Sequence, residues 1–295
     1  MLPMVPTLES SKPFAQRVLE LPRLGVGIST EFGAALEGLD PNALRGEFPE
    51  LVSFLEIGAD LERGIDDNAW QWVSGGHPTT YHFLDVNLEE VEDLDEEWCR
   101  ETAALARRAG AAWLCGDAGL WHVGRRDRGH GTLLPPILAP ESADAMAANV
   151  RSLRELTGFE VLPENPPAQV YLGPLHLCDY FARMSEVADC GLLVDVAHLL
   201  IYQQACGHEL RTGLDGFPFE RVVEVHVAGG SKFEHRGRTF IDDDHGLEVL
   251  PGTWELLELF VEHSPNLKAI VYECERNRTA DVLPGFQRLS ELFQP

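Results

Sequence analysis

Eight short apolar runs, separated by segments with helical periodicity, constrain the fold of this 295-residue chain more than any other feature. The runs are Leu24–Ser29, Phe54–Ala59, Thr79–Leu84, Ala112–Asp117, Phe159–Glu164, Gly191–His198, Arg221–Gly229 and Leu267–Glu275. They are almost continuously apolar, which is typical of parallel strands covered by helices. Eight strand–helix units predict an α/β fold, a single (β/α)8 TIM-like barrel, and the alternative is a doubly wound open sheet.

The segments between the runs carry the pattern of helices. The clearest are Glu96–Arg108, Glu141–Leu156 and Thr253–His263, the last with Thr253 as its candidate N-cap. Residues 1–21 show neither pattern and are predicted to form a loosely ordered N-terminal tail. Because no internal repeat or low-complexity linker divides the remainder, residues 22–295 are predicted to form one barrel domain that is a metalloenzyme.

The charge of the chain restricts its partners. Aspartate and glutamate outnumber lysine and arginine 48 to 23, which gives a formal net charge of −25. Such a surface repels nucleic acid and anionic lipid and favours a cation or a basic partner. The chain has no apolar stretch approaching about 20 residues, no signal-peptide pattern and no CxxC pair among its six cysteines. These features predict a cytoplasmic protein with reduced thiols that binds neither nucleic acid nor a membrane.

Imidazole and carboxylate side chains cluster at the carboxyl ends of the predicted strands, where barrels build their active sites. The candidate metal ligands are His82, Asp117, Glu164, Asp195, His198, His226, Asp243, His245 and Glu273. One such residue alone is often a packing residue, but ionisable groups at five successive strand ends must be paired or offset. This ligand set suits zinc, iron or manganese.

Other polar residues are predicted to support this centre. Asn165, Glu224 and Glu275 are the candidates for residues that hold and orient the ligands. Two basic loops follow strands four and seven, and both are expected at the barrel mouth, where they could bind the substrate or a partner. Their cationic residues are Arg125, Arg126, Arg128, Lys232, Arg236 and Arg238.

Five motifs in the second half of the chain are specific in combination. They are PENPP from Pro163, LLVDVAH from Leu192, EVHVAGG from Glu224, DDHGLEVLPGTW from Asp243 and YECE from Tyr272. With these motifs the chain resembles the multinuclear non-haem iron-dependent oxidative enzymes, the family of the methanobactin-biosynthesis oxidase and the thiaglutamate-pathway enzyme. The resemblance runs from about Leu24 to Glu275, within the TIM-barrel superfamily shared with endonuclease IV and xylose isomerase.

The resemblance implies a cofactor of two or three iron ions in mixed Fe2+/Fe3+ states, with dioxygen as co-substrate. It implies a ribosomally made precursor peptide as substrate, modified at cysteine, aspartate or asparagine, and a small partner protein that delivers the peptide. The ligands that it implies are His82, Glu164, Asp195, His226, Asp243, His245 and Glu273.

The chain departs from the family pattern at two places. Asp117 is followed by Ala118 where the family commonly has a histidine, and Asp195 is followed by Val-Ala-His rather than Val-Asn-Asn. The version with His198 is similar to endonuclease IV, a three-zinc barrel. A zinc-dependent hydrolase or phosphodiesterase, a divalent-metal sugar isomerase and a binding module without turnover therefore stay as alternatives, and oxygen consumption separates the oxidase from all three.

Overall fold

The computed structural model describes residues 12–30, 38–90, 93–122 and 133–293. In this part of the chain, eight parallel strands close into a barrel in the order β1-β2-β3-β4-β5-β6-β7-β10. The barrel strands are β1 Gly25–Thr30, β2 Phe54–Ala59, β3 Thr79–Phe83, β4 Ala111–Asp117, β5 Val161–Glu164, β6 Leu192–Asp195, β7 Val222–Ala228 and β10 Ala269–Glu273. The predicted barrel is confirmed, and the open sheet is excluded because β1 pairs with both β2 and β10.

A helix follows each barrel strand in the chain. These helices are α2 Pro41–Glu47, α3 Asp67–Ser74, α4 Glu96–Ala109, α5 Pro140–Thr157, α6 Leu177–Ala188, α7 Val196–Cys206, α8 Pro251–His263 and α9 Thr279–Leu292. Between β7 and α8 the chain forms a separate antiparallel hairpin of β8 Ser231–His235 and β9 Arg238–Asp242. No helix in the described ranges is long and apolar enough to cross a membrane.

Local capping explains where several helices begin and end. Asp95 accepts a hydrogen bond from the Trp98 amide at the start of α4, and Gly110 ends this helix in a left-handed conformation. The predicted cap Thr253 is wrong, because α8 begins two residues earlier at Pro251 and Thr253 is buried inside it. Strand six also ends earlier than predicted, at Asp195, so that His198 lies in the first turn of α7.

The interior of the barrel is layered along its axis. Its amino-terminal half is filled by apolar side chains, among them Phe54, Trp113, Leu162 and Val271. The polar side chains that point inward lie nearer the carboxyl end. The apolar half therefore supports the barrel, and the polar end is left for chemistry.

Residues 12–21, which precede β1, are packed against the barrel. The expectation of a loosely ordered tail is therefore wrong for this part of the segment. Helix α1, Phe14–Arg17, places Phe14 and Val18 in the apolar layer at the amino-terminal end of the barrel. The Arg17 guanidinium donates to both oxygens of Glu160, at 2.8 and 3.1 Å, and both side chains are almost fully buried. This ion pair fastens the segment to the barrel, and residues 1–11 lie outside the described ranges.

Removing one partner of this ion pair should leave a buried charge without compensation. We expect Arg17→Met to lower the free energy of unfolding by about 3–5 kcal/mol. Urea denaturation measures this loss. The double variant Arg17→Met/Glu160→Gln should be more stable than Arg17→Met, since it removes the stranded charge.

A matched control is Arg183→Met, which breaks the exposed pair of Arg183 with Asp144. Its cost should stay below about 1 kcal/mol, because water screens exposed ion pairs. Equal losses in Arg17→Met and Arg183→Met would contradict the role of the buried pair.

Candidate metal centre

The carboxyl ends of the strands surround a cavity of about 240 Å³. Its lining combines ionisable groups with an apolar wall. The lining residues are Ser29, Thr30, Glu56, Gly58, His82, Leu84, Asp117, Trp121, Leu133, Glu164, Pro167, His198, Asp243, His245, Glu273 and Glu275. Seven of the nine predicted ligands line it, and the other two, Asp195 and His226, are fully buried beside it.

Glu164, at the end of β5, lies at the centre of the cluster. Its Oε2 is 2.8 Å from His82 Nε2, and its Oε1 is 3.4 Å from His226 Nδ1 and 3.6 Å from His198 Nδ1. Asp117 at the end of β4 completes this side, with Oδ2 4.0 Å from His82 Nε2. One carboxylate thus faces three imidazoles, an arrangement suited to bridging two cations.

His198 connects this group to the loop after β9. Its Nδ1 donates to the Asn165 carbonyl oxygen at 2.8 Å, which leaves Nε2 facing Asp243 Oδ2 at 3.0 Å. Asp195 Oδ1 accepts the His198 amide at 2.7 Å and so caps α7, while its Oδ2 lies 3.8 Å from His198 Nε2. The same aspartate therefore starts the helix and turns an oxygen toward the centre.

The third part of the cluster joins β10 to the same loop. Glu273 lies 3.4 Å from His226 Nδ1 and 3.8 Å from His245 Nε2. Glu275 Oε1 is 2.6 Å from His245 Nδ1. A carboxylate in this position fixes the orientation of the imidazole and leaves Nε2 directed at Asp243, 3.7 Å away.

Glu56 on β2 is a site residue that the sequence analysis missed. It is 2% exposed, and its Oε2 is 3.1 Å from His226 Nε2. A hydrogen bond from Nε2–H to this carboxylate leaves Nδ1 of His226 as the free ring nitrogen, and Nδ1 faces Glu164 and Glu273. The available signal was a single carboxylate inside the apolar run FLEIGA.

Two residues predicted to support the ligands lie in different networks. Glu224 Oε2 accepts a 2.7 Å hydrogen bond from Trp113 Nε1 and holds no imidazole among the described residues. Asn165 exchanges two hydrogen bonds with the backbone of Asp195, at 2.9 and 3.0 Å, and so fixes the end of β5 against the end of β6.

Electrostatic coupling inside the cavity is strong. Burial would lower the pKa of His82, but its hydrogen bond with Glu164 and the charge of Glu56 raise it to about 9. Burial and the charge of Glu164 raise the pKa of Asp117 to about 8. Burial opposes ionisation of Glu164 too, yet His226 and His82 hold its pKa well below the usual range. Protons thus balance the carboxylates here, and bound cations would displace them.

Several buried polar atoms have no hydrogen-bond partner among the described residues. Five of these atoms belong to predicted ligands, and they are Asp117 Oδ1, Asp195 Oδ2, His226 Nδ1, Asp243 Oδ1 and Glu273 Oε2. A buried polar atom without a partner costs free energy, and such atoms rarely gather in one place without a ligand. These five atoms are carboxylate oxygens and one imidazole nitrogen, which are metal-ligating atoms, so the predicted ligands fit a group of metal ions.

The loop that carries Asp243 and His245 is held close over the end of β7. A Cβ on Gly229 would lie 1.9 Å from the Gly246 carbonyl oxygen, so only glycine permits this approach. His245 adopts a left-handed conformation with φ of 50°, which costs a non-glycine residue roughly 1–2 kcal/mol. Asn277 Nδ2 stabilises this conformation by donating to the His245 carbonyl oxygen at 2.6 Å.

Of the two predicted basic loops, only the one after strand seven lies within the described residues. Arg125, Arg126 and Arg128 lie outside the described residues. The second set, Lys232, Arg236 and Arg238, belongs to the exposed β8–β9 hairpin. This hairpin follows the carboxyl end of β7 and leads directly into Asp243.

The closed barrel with imidazoles and carboxylates at its strand ends defines a TIM-barrel protein with a candidate multinuclear metal centre. The model of the family described as RiPP precursor modification enzyme MbnB/TglH/ChrH matches residues 24–290. The chain therefore belongs to this family, whose name refers to ribosomally synthesised and post-translationally modified peptides.

One relative in sequence and two solved structures of similar fold illustrate what the chain resembles. A UPF0276 protein of Rhizorhabdus wittichii is 26% identical over 253 residues, which are 84% of this chain and 87% of that protein. A D-tagatose 3-epimerase-like protein aligns with a TM-score of 0.58 at 16% identity, over 91% of this chain and 96% of that one. A xylose isomerase-like TIM barrel protein from Mycobacterium smegmatis, in complex with magnesium, gives 0.57 at 11% identity, over 93% and 97%. At such identities the two structures show the fold alone.

Replacing Glu56 should weaken metal binding, because His226 loses the carboxylate that fixes its tautomer. We expect Glu56→Gln to lower metal affinity by about 10-fold and Glu56→Ala by up to about 100-fold. Isothermal titration calorimetry with the metal ion measures the change in affinity. Glu224→Gln is the matched control in the same layer and should leave the affinity within about threefold, because Glu224 bonds Trp113 rather than an imidazole. Unchanged affinity in both Glu56 variants would remove Glu56 from the site.

Proposed function

We propose that the chain is an iron- and dioxygen-dependent oxidase that modifies a cysteine, or an aspartate or asparagine, of a ribosomally synthesised precursor peptide. Membership of a family of RiPP precursor modification enzymes supports the substrate class. One observation carries the cofactor: four imidazoles and five carboxylates gather in or beside one cavity, and five of their buried ligating atoms have no hydrogen-bond partner among the described residues.

The cluster divides into groups that would hold two or three iron ions. His82, Asp117 and Glu164 bring one ligand atom each within 4.8 Å of one another, and so do Glu164, Asp195 and His198. Glu164 belongs to both groups and would bridge them. A third group would combine His226 and Glu273 with the loop residues Asp243 and His245.

Iron ions in mixed Fe2+/Fe3+ states would supply one-electron chemistry and a binding position for dioxygen. The residues of this chain supply the surroundings. Glu56 and Glu275 orient His226 and His245 through hydrogen bonds of 3.1 and 2.6 Å. An apolar wall restricts water near the ligands, and it is formed by Leu84, Trp121, Leu133 and Pro167. A cavity of about 240 Å³ suits one side chain of a peptide.

The substrate requires a route into this cavity. In the proposal, a small partner protein delivers the precursor peptide in the cytoplasm, and basic residues at the mouth attract its acidic part. Lys232, Arg236 and Arg238 are exposed on the hairpin beside the mouth and would contribute to this attraction. Charge-assisted hydrogen bonds between arginine and carboxylate suit such a contact.

A zinc-dependent phosphodiesterase is the second candidate, and His198 favours it. The Asp195-x-x-His198 and Asp243-x-His245 motifs lie next to each other, because His198 Nε2 is 3.0 Å from Asp243 Oδ2. Two motifs at this distance could bind the same metal ion. The net charge of −25 opposes this candidate, because a nuclease requires a basic surface for the phosphate backbone. For a sugar isomerase, the cavity lacks a lysine among its described lining residues.

The metal itself is the first test of the proposal. Protein purified without oxygen should hold at least two iron ions per chain, with a Mössbauer signature of coupled ions. It should consume dioxygen in the presence of the precursor peptide and partner protein. Stoichiometric zinc that supports phosphodiester hydrolysis, with no oxygen consumption by the iron-loaded protein, would contradict the oxidase and favour the hydrolase.

Ligand variants separate the positions within the cluster. Asp243→Ala, His245→Ala and Glu273→Ala should each lose metal, because each removes atoms that face the shared cavity. His198→Ala should lose one ion and retain the others, since His198 lies on one side of Glu164. Metal analysis gives the stoichiometry, and the exposed His263→Ala is the control. Full metal retention in the Asp243 and His245 variants would refute the assigned ligands.

A further inference from the structure

The β8–β9 hairpin is inserted between two candidate ligands of the metal centre. His226 on β7 lies five residues before Ser231, and Asp243 directly follows the last residue of β9. Strand β8 therefore follows the carboxyl end of β7, and β9 returns to the loop that carries Asp243. Both strands lie outside the barrel sheet and pair only with each other among the described residues.

One edge of the hairpin is anchored and the other is open. Ile241 on β9 is 3% exposed and packs with Ile201 and Leu250, and its carbonyl oxygen accepts a hydrogen bond from the Gln169 side chain. Every residue of β8 is exposed. The anchored edge of the hairpin is thus β9, and β8 is an uncovered edge strand.

The register identifies which backbone groups of β8 point outward. His235 pairs with Arg238 across a two-residue turn, so this closing pair exchanges hydrogen bonds and alternate pairs do so along the ladder. Glu234 and Lys232 fall in the non-hydrogen-bonded pairs. Their backbone N–H and C=O groups point away from β9 and have no backbone partner within the described ranges.

The side chains of the hairpin add charge and an aromatic surface. Phe233 is 46% exposed and stacks on Phe240, with ring centroids 5.5 Å apart. Lys232, Arg236 and Arg238 form no ion pair with any described residue, although the chain carries a net charge of −25. Three uncompensated cations beside an open strand edge favour an acidic ligand with an extended backbone.

We propose that β8 is a docking strand, and that an extended acidic segment of the peptide substrate adds to its open edge. This inference rests on the proposed function for the identity of the peptide. Strand addition supplies affinity through main-chain hydrogen bonds at Lys232 and Glu234, while the three cations select negative charge. At about 3.3 Å per residue, a peptide paired along β8 spans roughly 17 Å and ends beside the loop that carries Asp243 and His245.

The test uses the full-length, metal-loaded protein and a fluorescein-labelled 12-residue peptide of alternating glutamate and threonine. Fluorescence polarisation at low salt measures the dissociation constant. The triple variant Lys232→Glu/Arg236→Glu/Arg238→Glu should weaken binding by at least about 10-fold, because it reverses all three cations. The matched control Arg100→Glu/Arg151→Glu/Arg288→Glu makes the same change of net charge on exposed positions of α4, α5 and α9 and should weaken it by less than about threefold.

A second pair of variants tests the backbone contact separately from charge. Glu234→Pro and Glu234→Ala both remove the same carboxylate, but only proline removes the outward N–H. Glu234→Pro should bind the peptide about fivefold more weakly than Glu234→Ala, as expected for one lost hydrogen bond. Because this N–H lies outside the ladder, the hairpin should persist in both variants. A peptide with N-methyl groups at alternate residues should lose affinity for the unmodified protein in the same way.

The outcomes distinguish this inference from the proposed function. Equal binding by the cation-reversed triple variant and its control, or by the N-methylated and plain peptides, would overturn the docking strand even in iron-loaded protein. Hairpin-dependent peptide binding by a protein that takes up no iron would support the docking strand and refute the oxidase. A peptide of alternating lysine and threonine should bind at least about 10-fold more weakly than the glutamate peptide, and tighter binding would contradict the charge selection.

Discussion

The convergence of carboxylates at one end of the barrel is the constraint on which the rest of the site depends. Glu164, Asp195 and Glu56 are at most 2% exposed, and Asp195 lies beside the cavity that Glu164, Glu56, Asp243 and Glu273 line. So many acidic groups cannot ionise together in a buried space without cations. In the metal-free protein, neighbouring carboxylates raise the pKa values of His198 and His226, and the protonated imidazoles supply part of the compensating positive charge. A cluster of metal ions would supply all of it, which makes the acidic site and its cofactor one structural unit.

A small number of contacts position the candidate metal centre in the barrel. Closed parallel strands bring their carboxyl ends to one rim, and Asn165 locks two neighbouring ends together through the backbone of Asp195. Glu56 and Glu275 then set the orientation of two imidazoles. At the opposite end, the buried pair of Arg17 and Glu160 closes the apolar half of the barrel. The rigid end and the reactive end are thus separated along the barrel axis.

The sequence predicted the barrel, its strands and the polar residues that gather at their carboxyl ends, because parallel buried strands leave continuous apolar runs and their polar ends are conspicuous. Other features left weaker signals. Glu56 sits in the middle of its strand rather than at the end, and inward orientation is visible only once the barrel closes. The β8–β9 hairpin alternates polar residues with few apolar ones, so it resembled a loop. Arg17 gains its role from Glu160, a contact 143 residues away that no local pattern shows.

A crystal structure of the protein loaded with iron under anaerobic conditions, with anomalous differences collected above and below the iron edge, tests the central claim most directly. We expect two or three anomalous peaks in the cavity, with Glu164 shared between two of them and with ring nitrogens of His82, His198, His226 and His245 as ligands. A single peak, or peaks that avoid Glu164 and these imidazoles, would contradict the central claim.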